Sequence, residues 1–196
     1  MDEAFARKYK RALEVLPDVA GCAGGRLALV GGTALALFHL EHRVSVDLDF
    51  VPLEGDAVKH KEELKGCLTR KGYRASVGAF KNQFVVQFED TAVKIEVLEK
   101  AALKKVDEFA FGGETVRVAS IQDVLEMKRG AYAERREARD LFDVYCILRK
   151  KGGSLAELGR LIAEFGKPVN LGDVRGMAVR REDAEGFEKA VSHAVA

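Results

Sequence analysis

Leu29-Val30-Gly31-Gly32-Thr33-Ala34, followed by Ser45-Val46-Asp47-Leu48-Asp49-Phe50, decides the fold of this chain. Residues 26–30 are a short apolar strand, which Gly31-Gly32 breaks. Thr33 is then expected to cap a helix running through Ala34-Leu35-Ala36-Leu37-Phe38. A helix opening behind a glycine turn presents unpaired N–H groups and a positive dipole end, so a phosphate is its natural occupant. The second stretch predicts a strand over 46–51. The side-chain period of two puts Asp47 and Asp49 on one face and Val46, Leu48 and Phe50 on the other. Two like charges side by side on a strand repel, and a cation between them relieves the repulsion. Hard carboxylate oxygens suit Mg²⁺ or Mn²⁺. Two such ions roughly 3.5–4 Å apart clamp the attacking and leaving oxygens of a phosphoryl transfer.

Working outward, residues 3–16 carry Phe5, Tyr9, Leu13 and Leu16 at helical spacing, closed by Pro17. Asp56 caps a helix to about Arg70 that turns Leu64 and Leu68 inward and ends at Gly72. Tyr73 to Val77, Phe84 to Phe88 and Ala92 to Leu98 read as strands, the last two joined by Glu89-Asp90-Thr91. Glu108–Phe111 and Glu114–Val118 flank Gly112-Gly113, a two-residue hairpin turn. In the 92–98 strand, Val93, Ile95 and Val97 take one face. Glu96 takes the other and is the candidate third carboxylate, unless Lys94 and Glu96 simply form an exposed face. Residues 121–133, 138–150, 154–165 and 181–194 read as helices. The expected fold class is α/β: a mixed β-sheet core flanked by helices over residues 1–119, and a helical C-terminal part over 120–196 that forms the other side of a cleft.

Hydrophobic residues make up 47% of the 196 residues and charged residues 32%, the balance of a globular protein in water. A formal net charge of +1 does not mark a nucleic-acid binder and leaves room for a local basic patch. No stretch approaches the roughly 18 apolar residues of a membrane helix, and Met1-Asp2-Glu3 opens no signal peptide. Cys22, Cys67 and Cys146 lack motif spacing and read as buried or incidental thiols of a reducing compartment, so a cytoplasmic location is expected. His39 and His42 lack the i, i+4 spacing of a helical metal pair.

Gly31-Gly32-Thr33, a helix, then Asp47-Leu48-Asp49 resembles the signature of the DNA polymerase β-like nucleotidyltransferase superfamily. The fuller string from Val30 to Leu37, with His42-Arg43-Val44-Ser45-Val46-Asp47-Leu48-Asp49-Phe50, is similar to the AbiEii/AbiGii toxins of type IV toxin–antitoxin systems. Ile121 to Lys128 and Arg139-Asp140-Leu141-Phe142-Asp143-Val144-Tyr145 extend the likeness, which spans roughly residues 27–150.

The resemblance implies transfer of a nucleoside monophosphate from a nucleoside triphosphate to an acceptor, a tRNA-like RNA in such toxins, with an antitoxin encoded nearby. It implies that Gly31, Gly32 and Thr33 hold triphosphate and that Asp47 and Asp49 bind metal, with Glu96 as third ligand. Lys128 would touch phosphate or base, and Asp140 would orient it or the acceptor. Lys128 also reads as a solvated helix residue, and Asp140 and Asp143 as members of local ion pairs with Arg136 and Arg139. Arg43 and Ser45 suit a phosphate contact or a structural loop role. Two other readings stand beside this one: a small-molecule nucleotidyltransferase like those acting on aminoglycosides, and a nucleotidyltransferase-like binding module without catalysis.

Overall fold

The computed structural model describes residues 3–99, 101–177 and 180–194. The chain divides into two compact units. One takes in the chain up to Ala34 together with Ser45–Ser120, and the other takes in Leu35–Val44 and the chain from Ile121 onward.

The first unit is built on a mixed seven-stranded sheet in the order β3-β4-β5-β2-β1-β7-β6. Its strands are β1 (Leu27–Val30), β2 (Leu48–Pro52), β3 (Arg74–Val77), β4 (Gln83–Gln87), β5 (Ala92–Val97), β6 (Val106–Phe111) and β7 (Glu114–Ala119). The β1–β7 and β2–β5 pairs are parallel and the others antiparallel. All four residues of β1 are buried, as expected of a strand with both faces covered. Leu48, Phe50, Phe84, Val93, Ile95 and Val97 fill the core, each contributing roughly 1.5–3 kcal/mol by burial. Gly112 and Gly113 have φ of 58° and 84°, the left-handed pair that a two-residue hairpin turn requires.

Helix α1 (Glu3–Ala23) corrects the expected stop at Pro17: the helix runs straight through it. Ala12, Val15, Leu16, Val19, Ala20 and Ala23 continue one buried stripe on both sides of the proline. Packing along that stripe outweighs the hydrogen bond that proline cannot donate. Helix α3 (Ala57–Arg70) starts as expected, with Lys59 N donating to Asp56 Oδ1 at 2.8 Å. The cysteine reading is also corrected. Cys22 of α1 and Cys67 of α3 form a disulfide with Cα atoms 5.8 Å apart; Cys146 alone is a free, buried thiol.

The second unit contains α4 (Ile121–Arg135), α5 (Ala138–Lys151), α6 (Ala156–Phe165), the short α7 (Asp173–Gly176) and α8 (Arg181–Ala194). Helix α5 is its axis: every residue from Asp140 to Leu148 is buried. Phe142 meets Phe187 edge-on at 5.4 Å between centroids and stacks on His42 at 5.7 Å. No helix among the described residues is long and apolar enough to cross a membrane.

Candidate active site

The turn after β1 does not wait for Thr33 to start a helix. Helix α2 (Gly31–Ala34) begins at the first glycine and continues as a π-helical segment, Leu35–Leu40. Thr33 is therefore inside the helix, and its hydroxyl is not an N-cap. It donates to the Asp47 carbonyl at 2.5 Å and lies 3.0 Å from Ser45 Oγ. Thr33 and Ser45 thus tie the helix to the loop that leads into β2, and this bond occupies the hydroxyl expected at a phosphate.

Gly31 has φ +69°, and a β-carbon placed on it would stand 3.0 Å from Asp49 Oδ2. Only glycine serves both requirements, the left-handed backbone and the close approach. Asp49 lies inside β2, opposite Val30 of β1 on one side and Glu96 of β5 on the other. Glu96 is in turn opposite Gln83 of β4. Residues directly opposite one another share a sheet face, so Asp49, Glu96 and Gln83 form a lateral polar row beside the glycine turn. Asp47 sits one residue ahead of the strand.

Two lysines meet these carboxylates. Lys8 of α1 donates to Asp47 Oδ1 at 2.9 Å, and Lys94 Nζ lies 3.3 Å from Asp47 Oδ2 and 3.7 Å from Glu96 Oε2. Burial pushes the Asp47 carboxyl up, but Lys8 and Lys94 outweigh it and hold the group below the usual carboxylate range. Burial likewise opposes the charge on Lys94, and the field of Asp47, Asp49 and Glu96 raises it above an ordinary lysine. The exposed Lys–Glu face considered for β5 is thus a half-buried cluster. Glu96 Oε1 accepts from Asn82 Nδ2 at 2.9 Å and Oε2 from Gln83 Nε2 at 2.7 Å. Sequence reasoning missed Lys8, Asn82 and Gln83; the i, i+2 spacing of Lys94 and Glu96 was the available signal for Lys94.

Among the described residues, no three His, Cys, Asp or Glu side chains are gathered as a metal cluster. Asp47 and Asp49 nevertheless offer the oxygen-only donors that a hard divalent cation prefers, and lysines supply the positive charge at Asp47.

Lys128, Asp140 and Arg43 come together in the second unit. Lys128 Nζ reaches Asp140 Oδ1 at 2.9 Å and Asp143 Oδ2 at 2.7 Å. Lys128 is only 6% exposed, so it is not a solvated helix residue. Arg43 grips Asp143 with two nitrogens, at 2.6 and 2.8 Å, and Arg135 grips Asp140 likewise at 2.7 and 2.9 Å. His42 Nε2 bonds Asp143 Oδ1 at 2.7 Å. In place of the expected Arg136 and Arg139, Asp140 takes Arg135, five residues away, and Lys128, while Asp143 takes Lys128 and the sequence-distant His42 and Arg43. Burial raises the Asp143 carboxyl, yet Arg43 and Lys128 hold it well below the usual range. His42 is the member for which the sequence carries no site signal, whereas the one helical turn between Asp140 and Asp143 fits a site as readily as local ion pairs.

A putative nucleotidyltransferase from H. pylori superposes with a TM-score of 0.62 at 18% identity, over 99% of this chain and 96% of that one. An antigenic nucleotidyltransferase-like protein from Paracoccidioides brasiliensis gives 0.56 at 16% identity, over 94% of each chain. The antibiotic-resistance factor ANT(2'')-Ia gives 0.51 at 14% identity, over 80% of this chain and 91% of its own. These likenesses establish the fold. No curated protein matches the chain. Residues 19–194 match the family described as nucleotidyl transferase AbiEii toxin, type IV TA system. With most of its length so matched, the chain belongs to the AbiEii nucleotidyltransferase family.

Proposed function

We propose that Asp47 and Asp49 hold divalent metal, Mg²⁺ or Mn²⁺, for transfer of a nucleoside monophosphate from a nucleoside triphosphate to an RNA acceptor. The observation that carries this reading is the contact of Gly31 with Asp49: it sets a carboxylate against the opening of a helix, where triphosphate and metal are needed together. When bound, the metal neutralises charge on the phosphates and on the departing pyrophosphate. The backbone N–H groups at the start of α2 bind phosphate oxygens. Lys94 balances the charge of Asp47 and Glu96 and orients them. Glu96 Oε1 or Oε2 accepts the proton of the acceptor hydroxyl. The acceptor oxygen bonds to the α-phosphorus, the bond from that phosphorus to the bridging oxygen breaks, and pyrophosphate leaves with the electron pair. Positioning and electrostatics supply the rate.

RNA as acceptor and the assignment of Lys128 and Asp140 to nucleotide handling rest on the motif resemblance, and an antitoxin as partner rests on the family match. The test is incubation with each labelled triphosphate, Mg²⁺ and either total RNA or an aminoglycoside. Label is expected in RNA, and Asp49→Asn is expected to abolish it while retaining the fold. Label in the aminoglycoside alone would replace the acceptor, and undiminished transfer by Asp49→Asn would sink the mechanism.

A further inference from the structure

From Leu64 to Phe88 the chain carries five cations, Lys65, Arg70, Lys71, Arg74 and Lys81, and no carboxylate, although the whole sequence balances to +1. This stretch takes in β3, β4 and the turn between them. Lys71 is bonded to Asp18. Arg74 and Lys81 are exposed and, among the described residues, in no ion pair. Phe80, next to Lys81 in the turn, is 66% exposed. A lone exposed apolar side chain is ordinary. An exposed ring inside an acid-free cationic segment has a specific use: a nucleic-acid base stacks on the ring while the cations meet the phosphates.

The fold aims this surface at the candidate site. Arg74 is opposite Gln87, and Gln83 is opposite Glu96, which is itself opposite Asp49. Gln83 and Gln87 are four residues apart on β4 and share a face, so Arg74 lies on the sheet face of Glu96 and Asp49. Phe84, Val86, Val93 and Ile95 take the other face and are buried. On the polar face, Ser76 and Gln87 are exposed and bonded to each other at 3.2 Å. Gln83 joins the turn to the carboxylate: its backbone N donates to the Phe80 carbonyl at 3.0 Å, and its Nε2 donates to Glu96 Oε2 at 2.7 Å. Gly78 packs the turn onto the same residue, since a β-carbon there would stand 2.6 Å from Gln83 Cβ. Phe80 thus stands on a turn anchored to the residue that holds Glu96.

We infer that the polar face of β3 and β4, with the turn between them, docks the acceptor as a single-stranded RNA end. Phe80 stacks on a base, Arg74 and Lys81 bind backbone phosphates, and the terminal hydroxyl comes to Glu96. The last step rests on the reading of Glu96 as the group that takes the hydroxyl proton; the docking itself requires no catalysis.

The test is the affinity of the full chain for a fluorescein-labelled single-stranded octaribonucleotide, followed by anisotropy without triphosphate or metal. Phe80→Ala, Phe80→Trp and the double variant Arg74→Gln/Lys81→Gln alter exposed side chains and so spare the fold. Phe80→Ala is expected to weaken binding about tenfold, and Phe80→Trp to restore it. The double variant is expected to flatten the dependence of log affinity on log salt by roughly 1.4, about 0.7 for each phosphate contact on a single strand. A blunt RNA duplex, whose bases are already stacked, is expected to bind at least about tenfold more weakly than the octamer. In the transfer reaction, Phe80→Ala is expected to raise the KM for RNA more than it lowers kcat. A chain that transfers nothing to RNA yet binds the octamer through Phe80 keeps the docking surface and loses the catalytic reading. The docking surface is overturned if the octamer does not bind, or if Phe80→Ala and the double variant match wild type in affinity and in KM. It is also overturned if wild type sediments as a dimer that Phe80→Ala dissociates, since the turn would then be a contact between copies.

Discussion

Gly31 and Asp49 are so placed that a β-carbon on the glycine would stand 3.0 Å from the carboxylate's Oδ2, closer than an ordinary contact. Gly31→Ala forces a left-handed backbone on alanine, at about 1–2 kcal/mol, and pushes Asp49 from its position. Thermal denaturation is expected to show that modest loss. Nucleotidyl transfer is expected to fall on the order of 100-fold, since small misplacements of reacting groups are costly. An alanine variant with full activity would show that Asp49 does not need this approach.

Lys8 and Asp47 form a pair with about a third of each side chain exposed. Lys8→Ala is therefore expected to change stability by no more than ~1 kcal/mol. Its effect falls on metal: with Oδ1 released, the Mg²⁺ concentration for half-maximal transfer is expected to drop. An increase would instead make Lys8 a phosphate contact.

Asp143 carries the charge of Arg43 and Lys128 in a fully buried setting. Asp143→Asn leaves buried Arg43 without its carboxylate and Lys128 with Asp140 alone, and is expected to cost about 3–5 kcal/mol, a Tm decrease of roughly 10 °C for a chain of this size. The same group sets an acid limit. Its folded pKa is depressed, so its stabilisation is present above the ordinary aspartate value of ~3.9 and is lost as pH falls below it toward the folded value. Between pH 5 and 3 the wild-type Tm is expected to fall more steeply than that of Asp143→Asn.

Cys22 and Cys67 close a loop of sequence separation 45. Chain entropy puts the stabilisation from such a cross-link at about 4 kcal/mol. Dithiothreitol is expected to lower the Tm of wild type and leave Cys22→Ser unaffected. Intact mass before and after reduction checks the bond directly.

The strands around the glycine turn were legible because their cues are local and periodic, whereas their order in the sheet left no such cue. Alternation in Val93-Lys94-Ile95-Glu96-Val97 separated core from polar face, and two glycines fixed the β6–β7 turn. Helices fared well where a polar cap stood outside an apolar stripe, as at Asp56. They misled where a local rule met a tertiary one: Pro17 reads as a stop until the buried stripe of α1 is seen to continue past it. Thr33 reads as a cap until its hydroxyl is found on the Asp47 carbonyl. Partners far apart in sequence left no periodic trace. Lys8 lies 39 residues from Asp47, Cys22 lies 45 from Cys67, and Arg43 lies 100 from Asp143.

The excursion of Leu35–Val44 into the helical unit has a temporal meaning during synthesis. His42 and Arg43 leave the ribosome 101 and 100 residues before Asp143. At about 5–20 residues per second, that is a wait of roughly 5–20 s. The sheet has all its strands once Ala119 has emerged, while the ten-residue segment Leu35–Val44 holds an arginine and a histidine without their carboxylate. A translational pause between residues 120 and 143 would prolong that interval.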